Sequence, residues 1–296
     1  MNVALGCGNF GGVGSAPAFF GQGIEHAEAF AIMDRAWAAG ITWFDTGDAY
    51  GGGTSERWIG EWIRERGVRP KLTTKVFHST TGTPGDTGLA PERIRRQIRA
   101  SLERLGVERV DYYLAHEPDD SVPLEETIAC FELLREEGLI AAWGLSNYSL
   151  AELRSTSPSL VQNSFSLLER ADEEDVLPHC RERGIPYVPF GPLAGGWLTG
   201  KYRRGEAFPE GSRMTQRPGP YERFVDDRVF DSLEALEDEA ASRGVSTAAL
   251  AFAWVMHRCD GAVCGPNRAV HLDPVLEAMQ IEMTSEDVGR IGGFFE

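Results

Sequence analysis

The chain predicts an α/β protein built as a (β/α)8 barrel, with residues 1–296 forming one domain. Three observations predict it. Short apolar runs alternate with longer stretches whose apolar residues recur at helical spacing, and eight such runs can be counted. The connections between them are too long for hairpins, which implies parallel strands joined by right-handed crossovers. That alternation suits an open doubly wound sheet or a closed barrel, and eight units favour the barrel. Finally, no linker, composition shift, solenoid repeat or low-complexity tract divides the chain.

The first strand is Val3 to Cys7, followed by Gly8-Asn9-Phe10-Gly11-Gly12 and a mobile loop carrying Phe19 and Phe20. From Glu25 to Ala39, Phe30, Met33 and Trp37 mark one face of a helix, and Gly40 stands where a left-handed cap is wanted. Ile41 to Asp45 is the second strand. A glycine-rich turn containing Tyr50 leads from it into a helix, Thr54 to Arg66, whose apolar stripe is Trp58, Ile59, Trp62 and Ile63. Lys71 to Val76 is the third strand, and a polar loop runs to residue 90. Pro91 then opens a helix with Ile94, Ile98, Leu102 and Leu105 on one side, closed by Gly106. Arg109 to Ala115 is the fourth strand, ending at His116, with a helix from Pro123 to Glu137 after it. Ile140 to Gly144 is the fifth, and Ser149 with Glu152 matches a capping box. Leu160 to Asn163 is the sixth strand, residues 172–183 are helical, and Ile185 to Phe190 is the seventh strand. A loop spanning residues 191–225 is long enough to be functional or disordered. Helices at 227–243 and 246–258 precede the eighth strand, Gly261 to Cys264, and two more helical stretches end the chain.

Composition narrows the function. A net charge of −16 repels a phosphate backbone and an anionic membrane, so neither nucleic acid nor a membrane is an expected partner. The start lacks a signal peptide's basic and apolar segments, and no run of eighteen apolar residues occurs, which points to the cytoplasm. Five scattered cysteines without a CxxC pair suit free thiols in a reducing compartment, and no metal site is expected.

In a barrel, Asp45, Lys75, His116 and Ser146-Asn147 fall at the carboxyl ends of consecutive strands and converge on one mouth. Singly, each has a plain structural explanation: a cap, a snorkelling lysine, a satisfied histidine, and for Tyr50 a half-exposed loop residue. Together they make chemistry. A carboxylate beside an ammonium keeps the lysine charged, and the ammonium favours ionisation of a nearby phenol, which makes Tyr50 a usable general acid.

The segments FDTGDAYGGGTSE, TTK at Lys75, LAHEPD at His116, GLSNYS around Ser146, Gln162, FGPLAGGWLTGKY and FPEGSR together resemble the aldo-keto reductase superfamily over nearly the whole chain. The resemblance implies a barrel that binds NADP(H), or less often NAD(H), and reduces aldehydes or ketones, without a Rossmann domain. It places the catalytic tetrad on Asp45, Tyr50, Lys75 and His116, with Tyr50 as proton donor. Ser146, Asn147 and Gln162 match the positions that hold the carboxamide, and Phe190 the ring stacked on the nicotinamide. Gly191, Leu193, Gly195, Lys201, Ser212 and Arg213 match the loop around the pyrophosphate. Gly265, Asn267 and Arg268 match the adenosine-phosphate segment, with Arg268 the candidate for the 2′-phosphate.

Two departures stand out. Where the family has a glutamine, a glutamate and an asparagine addressing adenine, this chain has His271, Pro274 and Val275. Many relatives also plug the barrel base with an amino-terminal hairpin; this chain begins almost at strand one, so another cover is expected. Phe10, Phe19, Phe20 and Phe77 are the candidate substrate pocket for a small carbonyl compound, or simply core. Two rival functions remain: a cofactor-binding regulatory subunit with little turnover, and a barrel lyase using Lys75 as a Schiff-base nucleophile. Substrate identity and oligomeric state are not encoded in any motif.

Overall fold

The computed structural model describes residues 2–296. Strand β1 (Asn2–Gly6) is followed by α1 (His26–Ala38), β2 (Trp43–Asp45), α2 (Thr54–Arg66), β3 (Lys71–Val76) and α3 (Pro91–Leu105). Then come β4 (Val110–Ala115), α4 (Leu124–Glu136), β5 (Ile140–Ser146), the single turn α5 (Leu150–Leu153), β6 (Val161–Gln162) and α6 (Val176–Arg183). A long excursion containing α7 (Arg213–Gln216) precedes α8 (Asp227–Arg243), α9 (Thr247–Arg258), β7 (Gly261–Cys264), α10 (Asp273–Ala278) and α11 (Ser285–Gly293). The capping box expected at Ser149 and Glu152 forms at the start of α5.

All strand pairs are parallel, and the sheet order is β6-β5-β4-β3-β2-β1-β7. The strand expected at Ile185 to Phe190 does not form a regular ladder. Pro186 and Pro189 have no N–H to give, and proline is tolerated in sheets only where pairing is interrupted. The segment instead makes isolated bridges from Tyr187 to Val161 and from Phe190 to Ser164. It still reaches both neighbours: Val188 N–H donates to the Val161 carbonyl at 3.0 Å, and Val263 N–H donates to the Pro189 carbonyl at 2.9 Å. An irregular eighth stave thus closes the ring between β6 and β7.

Alternate strand residues fill the ring. Ala4, Trp43, Leu114, Leu160, Val188 and Val263 form a buried cluster of their own, separate from the larger core between strands and helices. At the amino-terminal ends of the strands Trp43 donates its indole N–H to Thr73 Oγ1 at 2.8 Å. The Lys71 ammonium lies 4.0 Å and 4.7 Å from the Trp43 and Tyr112 ring centroids. Trp43, Tyr112 and the Lys71 ammonium thus line the base of the ring. Outside the ring, every residue of α9 from Ala248 to Met256 is buried, as expected of a helix that is apolar all round and flanked by other helices.

The excursion between the eighth stave and α8 is ordered by its own aromatic core. Trp197, fully buried, has Tyr202 at 4.7 Å, Phe224 at 5.9 Å and Phe230 at 5.8 Å between ring centroids. Clusters of this kind hold a long loop in one shape without strands or helices of any length.

Candidate active site

Strand alternation points Asp45, Lys75 and His116 inward at the carboxyl ends of β2, β3 and β4. The Lys75 and Asp45 side chains are 1 % and 4 % exposed, and the ammonium donates to Asp45 Oδ1 at 2.5 Å and to the Thr46 carbonyl at 2.9 Å. Gln162 donates to the other Asp45 oxygen at 2.9 Å. Both carboxylate oxygens are therefore occupied, as a buried charge requires. The Gln162 amide N–H, expected to face a cofactor, serves Asp45.

Tyr50 completes the group from a loop. Its Oη is 3.3 Å from His116 Nε2, and its ring centroid is 5.2 Å from the Lys75 ammonium. The loop can make this turn because Gly51, Gly52 and Gly53 are all left-handed (φ 58°, 64° and 83°). At Gly51 a Cβ would also stand 2.7 Å from the Phe10 carbonyl oxygen. The turn aims Tyr50 inward and hands the chain to α2 one residue later.

Burial and charge then set protonation. Burial raises the Tyr50 phenol above its ordinary range, and the Lys75 charge offsets this only in part. The ammonium favours ionisation as expected, but it only moderates a shift that desolvation dominates. Burial also pulls Lys75 down, but Asp45 and then Tyr50 outweigh it and hold the ammonium charged. Burial, then Lys75 and His78, push His116 well below the ordinary imidazole range, so its ring is neutral. The quartet presents a protonated phenol, an ammonium and a neutral imidazole at one mouth, an arrangement able to bind an oxygen and give it a proton.

A second cluster lies at the same strand ends. Arg213 donates to Asn9 Oδ1 at 2.5 Å, and Asn9 donates to Asn267 Oδ1 at 2.6 Å. The Asn267 N–H in turn donates to His271 Nδ1 at 3.3 Å. Desolvation and then the Arg213 charge lower Lys201, while desolvation and then the Lys201 and Arg268 charges lower His271, with Glu28 opposing. Lys201 and Arg268 thus act on His271, and Arg213 on Lys201. Among the described residues none of the three has a carboxylate within ion-pair reach. Ser212 beside them buries a hydroxyl with no hydrogen-bond partner. Unpaired cations and an orphaned hydroxyl in an acidic chain fit an anionic, phosphate-bearing cofactor.

Other expected residues fall as follows. Ser146 is buried at the end of β5, and Asn147, left-handed at φ 65°, donates to the His116 carbonyl at 2.9 Å. Phe190 packs half-buried on the interior cluster at the mouth. Gly191 and Gly195 are left-handed, and a Cβ on Gly195 would meet the Tyr221 ring at 2.4 Å; Leu193 is half-buried beside them. Gly265, Arg268 and His271 are exposed, whereas Val275 is core and Pro274 opens α10, so of the three departing residues only His271 faces the cluster. Phe19, Phe20 and Phe77 are half-buried. Phe10 is 0 % exposed in the main core, which is the second of the two alternatives the sequence left open for it. Sequence reasoning missed Asn9, which lies in a glycine-rich run, and His78 and Glu117, each next to a residue that was picked. Among the described residues no helix is long and apolar enough to cross a membrane, and no group of three or more His, Cys, Asp or Glu could hold a metal ion.

Residues 2–295 match the Aldo/keto reductase family. A putative voltage-gated potassium channel subunit beta from Schizosaccharomyces pombe is 34 % identical over 255 residues, covering 80 % of this chain and 73 % of that protein. An aldo-keto reductase of the same yeast, named for NADP(+), is 29 % identical over 93 % of this chain and 84 % of its own length. Among solved structures, a glycerol dehydrogenase from Gluconobacter oxydans superposes with a TM-score of 0.83 at 26 % identity, covering 99 % of this chain and 90 % of that one.

Proposed function

We infer the reaction from one premise: the chain belongs to the aldo/keto reductase family and is an oxidoreductase. We propose that it reduces aldehydes or ketones to alcohols with NADP(H), as one barrel domain acting in the cytoplasm, with Tyr50 as general acid. The observation that carries this is the Tyr50 hydroxyl 3.3 Å from a neutral His116, with the Lys75 ammonium held behind it by Asp45.

Ser212, Lys201, Arg213, Arg268 and the Asn9–Asn267 pair would hold the phosphates of the cofactor, and Phe190, Ser146 and Asn147 its nicotinamide end. When bound, the nicotinamide supplies the hydride. The protein's part is then electrostatic. Tyr50 and His116 fix the carbonyl oxygen, and as that oxygen gains charge the Tyr50 O–H bond breaks and its proton moves to it. The phenolate left behind faces the Lys75 ammonium, and Asp45 with Gln162 keeps that ammonium in place. Because burial raises the phenol, it remains protonated through neutral pH, and reduction slows only as alkaline pH removes the proton.

One comparison favours a second reading, a regulatory subunit with little turnover, because a relative is named a putative channel subunit. A complete proton-donating quartet favours turnover. Against a Schiff-base lyase stands Lys75 itself, which Asp45 keeps charged and so not nucleophilic. The test follows NADPH absorbance with a panel of aldehydes: consumption coupled to alcohol formation supports the reductase. Cofactor binding without consumption supports the regulatory reading, and borohydride trapping on Lys75 the lyase.

A further inference from the structure

Pairing between β5 and β6 ends at Ser146 and Gln162, and the Asn147 N–H carries it one step further to the Gln162 carbonyl at 3.3 Å. Beyond that point a side chain replaces the ladder. Asn163 accepts from the Tyr148 N–H at 3.2 Å and donates to the Tyr148 carbonyl at 2.9 Å, so one amide holds both backbone groups of that residue. Its other amide N–H donates to Asp172 Oδ2 at 2.7 Å, and the same oxygen accepts from the Tyr187 hydroxyl at 2.8 Å. Asn163, Tyr148 and Tyr187 are buried, whereas Asp172 is half-buried. The Asn163 backbone carbonyl, on its other side, accepts from the Phe190 N–H at 3.0 Å. One residue therefore ties the turn after β5 to the eighth stave.

The turn it ties is one that needs holding. Asn147 is left-handed at φ 65°, a conformation that residues other than glycine keep where their surroundings over-determine it. Its own side chain supplies one constraint, by donating to the His116 carbonyl at 2.9 Å. The Asn163 amide, clamping the next residue, supplies the other. We propose that Asn163 is a positioning residue that sets the Ser146-Asn147 turn and Phe190 at the spacing that receives the nicotinamide and its carboxamide, with Asp172 fixing which way its amide points. Flipped, the amide would aim its oxygen at Asp172 Oδ2 and its N–H groups at the Tyr148 N–H, acceptor against acceptor and donor against donor. Only one orientation satisfies all three partners.

This assignment rests on the NADP(H) reading and adds what holds the nicotinamide end in place. The test is calorimetric titration with two ligands: NADPH, and adenosine 2′,5′-bisphosphate, which carries phosphates of that cofactor but no nicotinamide. Asn163→Leu is expected to weaken NADPH about tenfold and to leave the bisphosphate within about twofold. Asp172→Ala, at a half-buried position where folding is less at stake, is expected to weaken NADPH about threefold, and Asp172→Asn, which keeps an acceptor, to restore it. A general loosening of the fold would weaken both ligands together. Equal losses for the two ligands therefore overturn the proposal, as does native NADPH affinity in Asp172→Ala and, where it folds, in Asn163→Leu. Failure of the native protein to bind NADPH overturns the cofactor reading itself, and the proposal with it.

Discussion

Two sides of the mouth treat charge in opposite ways. On the β2–β3 side, Lys75 and Asp45 are almost completely buried, and both carboxylate oxygens and two of the three ammonium N–H groups are occupied. On the side of the long loop and β7, Lys201, Arg213 and Arg268 gather beside an orphaned Ser212 hydroxyl with no carboxylate in reach among the described residues. The finished pair is part of the fold, and its geometry does not wait for a ligand. The unfinished set holds like charges together without a carboxylate, and on the proposed reading a bound phosphate would supply the missing partner. On the proposed reading, preorganised proton chemistry and stored affinity are separate devices at one rim.

The contrast can be broken most severely at Lys75. Lys75→Met leaves Asp45 buried and uncompensated, so we expect a stability loss of about 3–5 kcal/mol by chemical denaturation. Turnover should fall about a thousandfold in the same variant. The other side should respond differently. Arg268→Ala removes a charge that has no partner, so the denaturation midpoint should hold while the Kd for NADPH rises about tenfold, read by quenching of tryptophan fluorescence. NADH, which lacks the 2′-phosphate, should bind as before. A stability loss in this variant would mean that the cations are structural and the contrast is false.

The smallest effect sharpens the comparison at a third charge. Asp48 is 0 % exposed, neither carboxyl oxygen has a partner, and burial, followed by the Glu56 charge, raises its pKa well above the ordinary range. The sign follows from linkage: the folded state holds a proton that the unfolded state releases, so stability is lost as pH rises above the unfolded carboxylate range. Asp48→Asn should therefore raise the unfolding free energy, more at pH 8 than at pH 5. Equal gaps at both pH values would show that Asp48 carries no such burden.

Much of this was legible from residues alone, for local reasons. Periodicity and glycine stops set α2 and α3 where they lie, and strand-end positions singled out Asp45, Lys75 and His116. The eighth stave was not legible as a ladder, because apolar content marked a strand while Pro186 and Pro189 removed the donors it needed. Phe10 stayed undecided between pocket and core because a phenylalanine among glycines reads as loop, and only tertiary closure buries it. Asn9 joins residues 204 and 258 positions away, a relation no local pattern carries. The net shift of Tyr50 was also hidden, since the ammonium is visible in the sequence and the desolvation that outweighs it is not.

The measurement closest to the central claim is Tyr50→Phe, assayed for NADPH binding and for hydride transfer in a single turnover with an aldehyde. If the proton donor and the anion site are separate devices, NADPH affinity stays within about twofold while the transfer rate falls about a thousandfold. Transfer at the native rate in Tyr50→Phe would contradict the account.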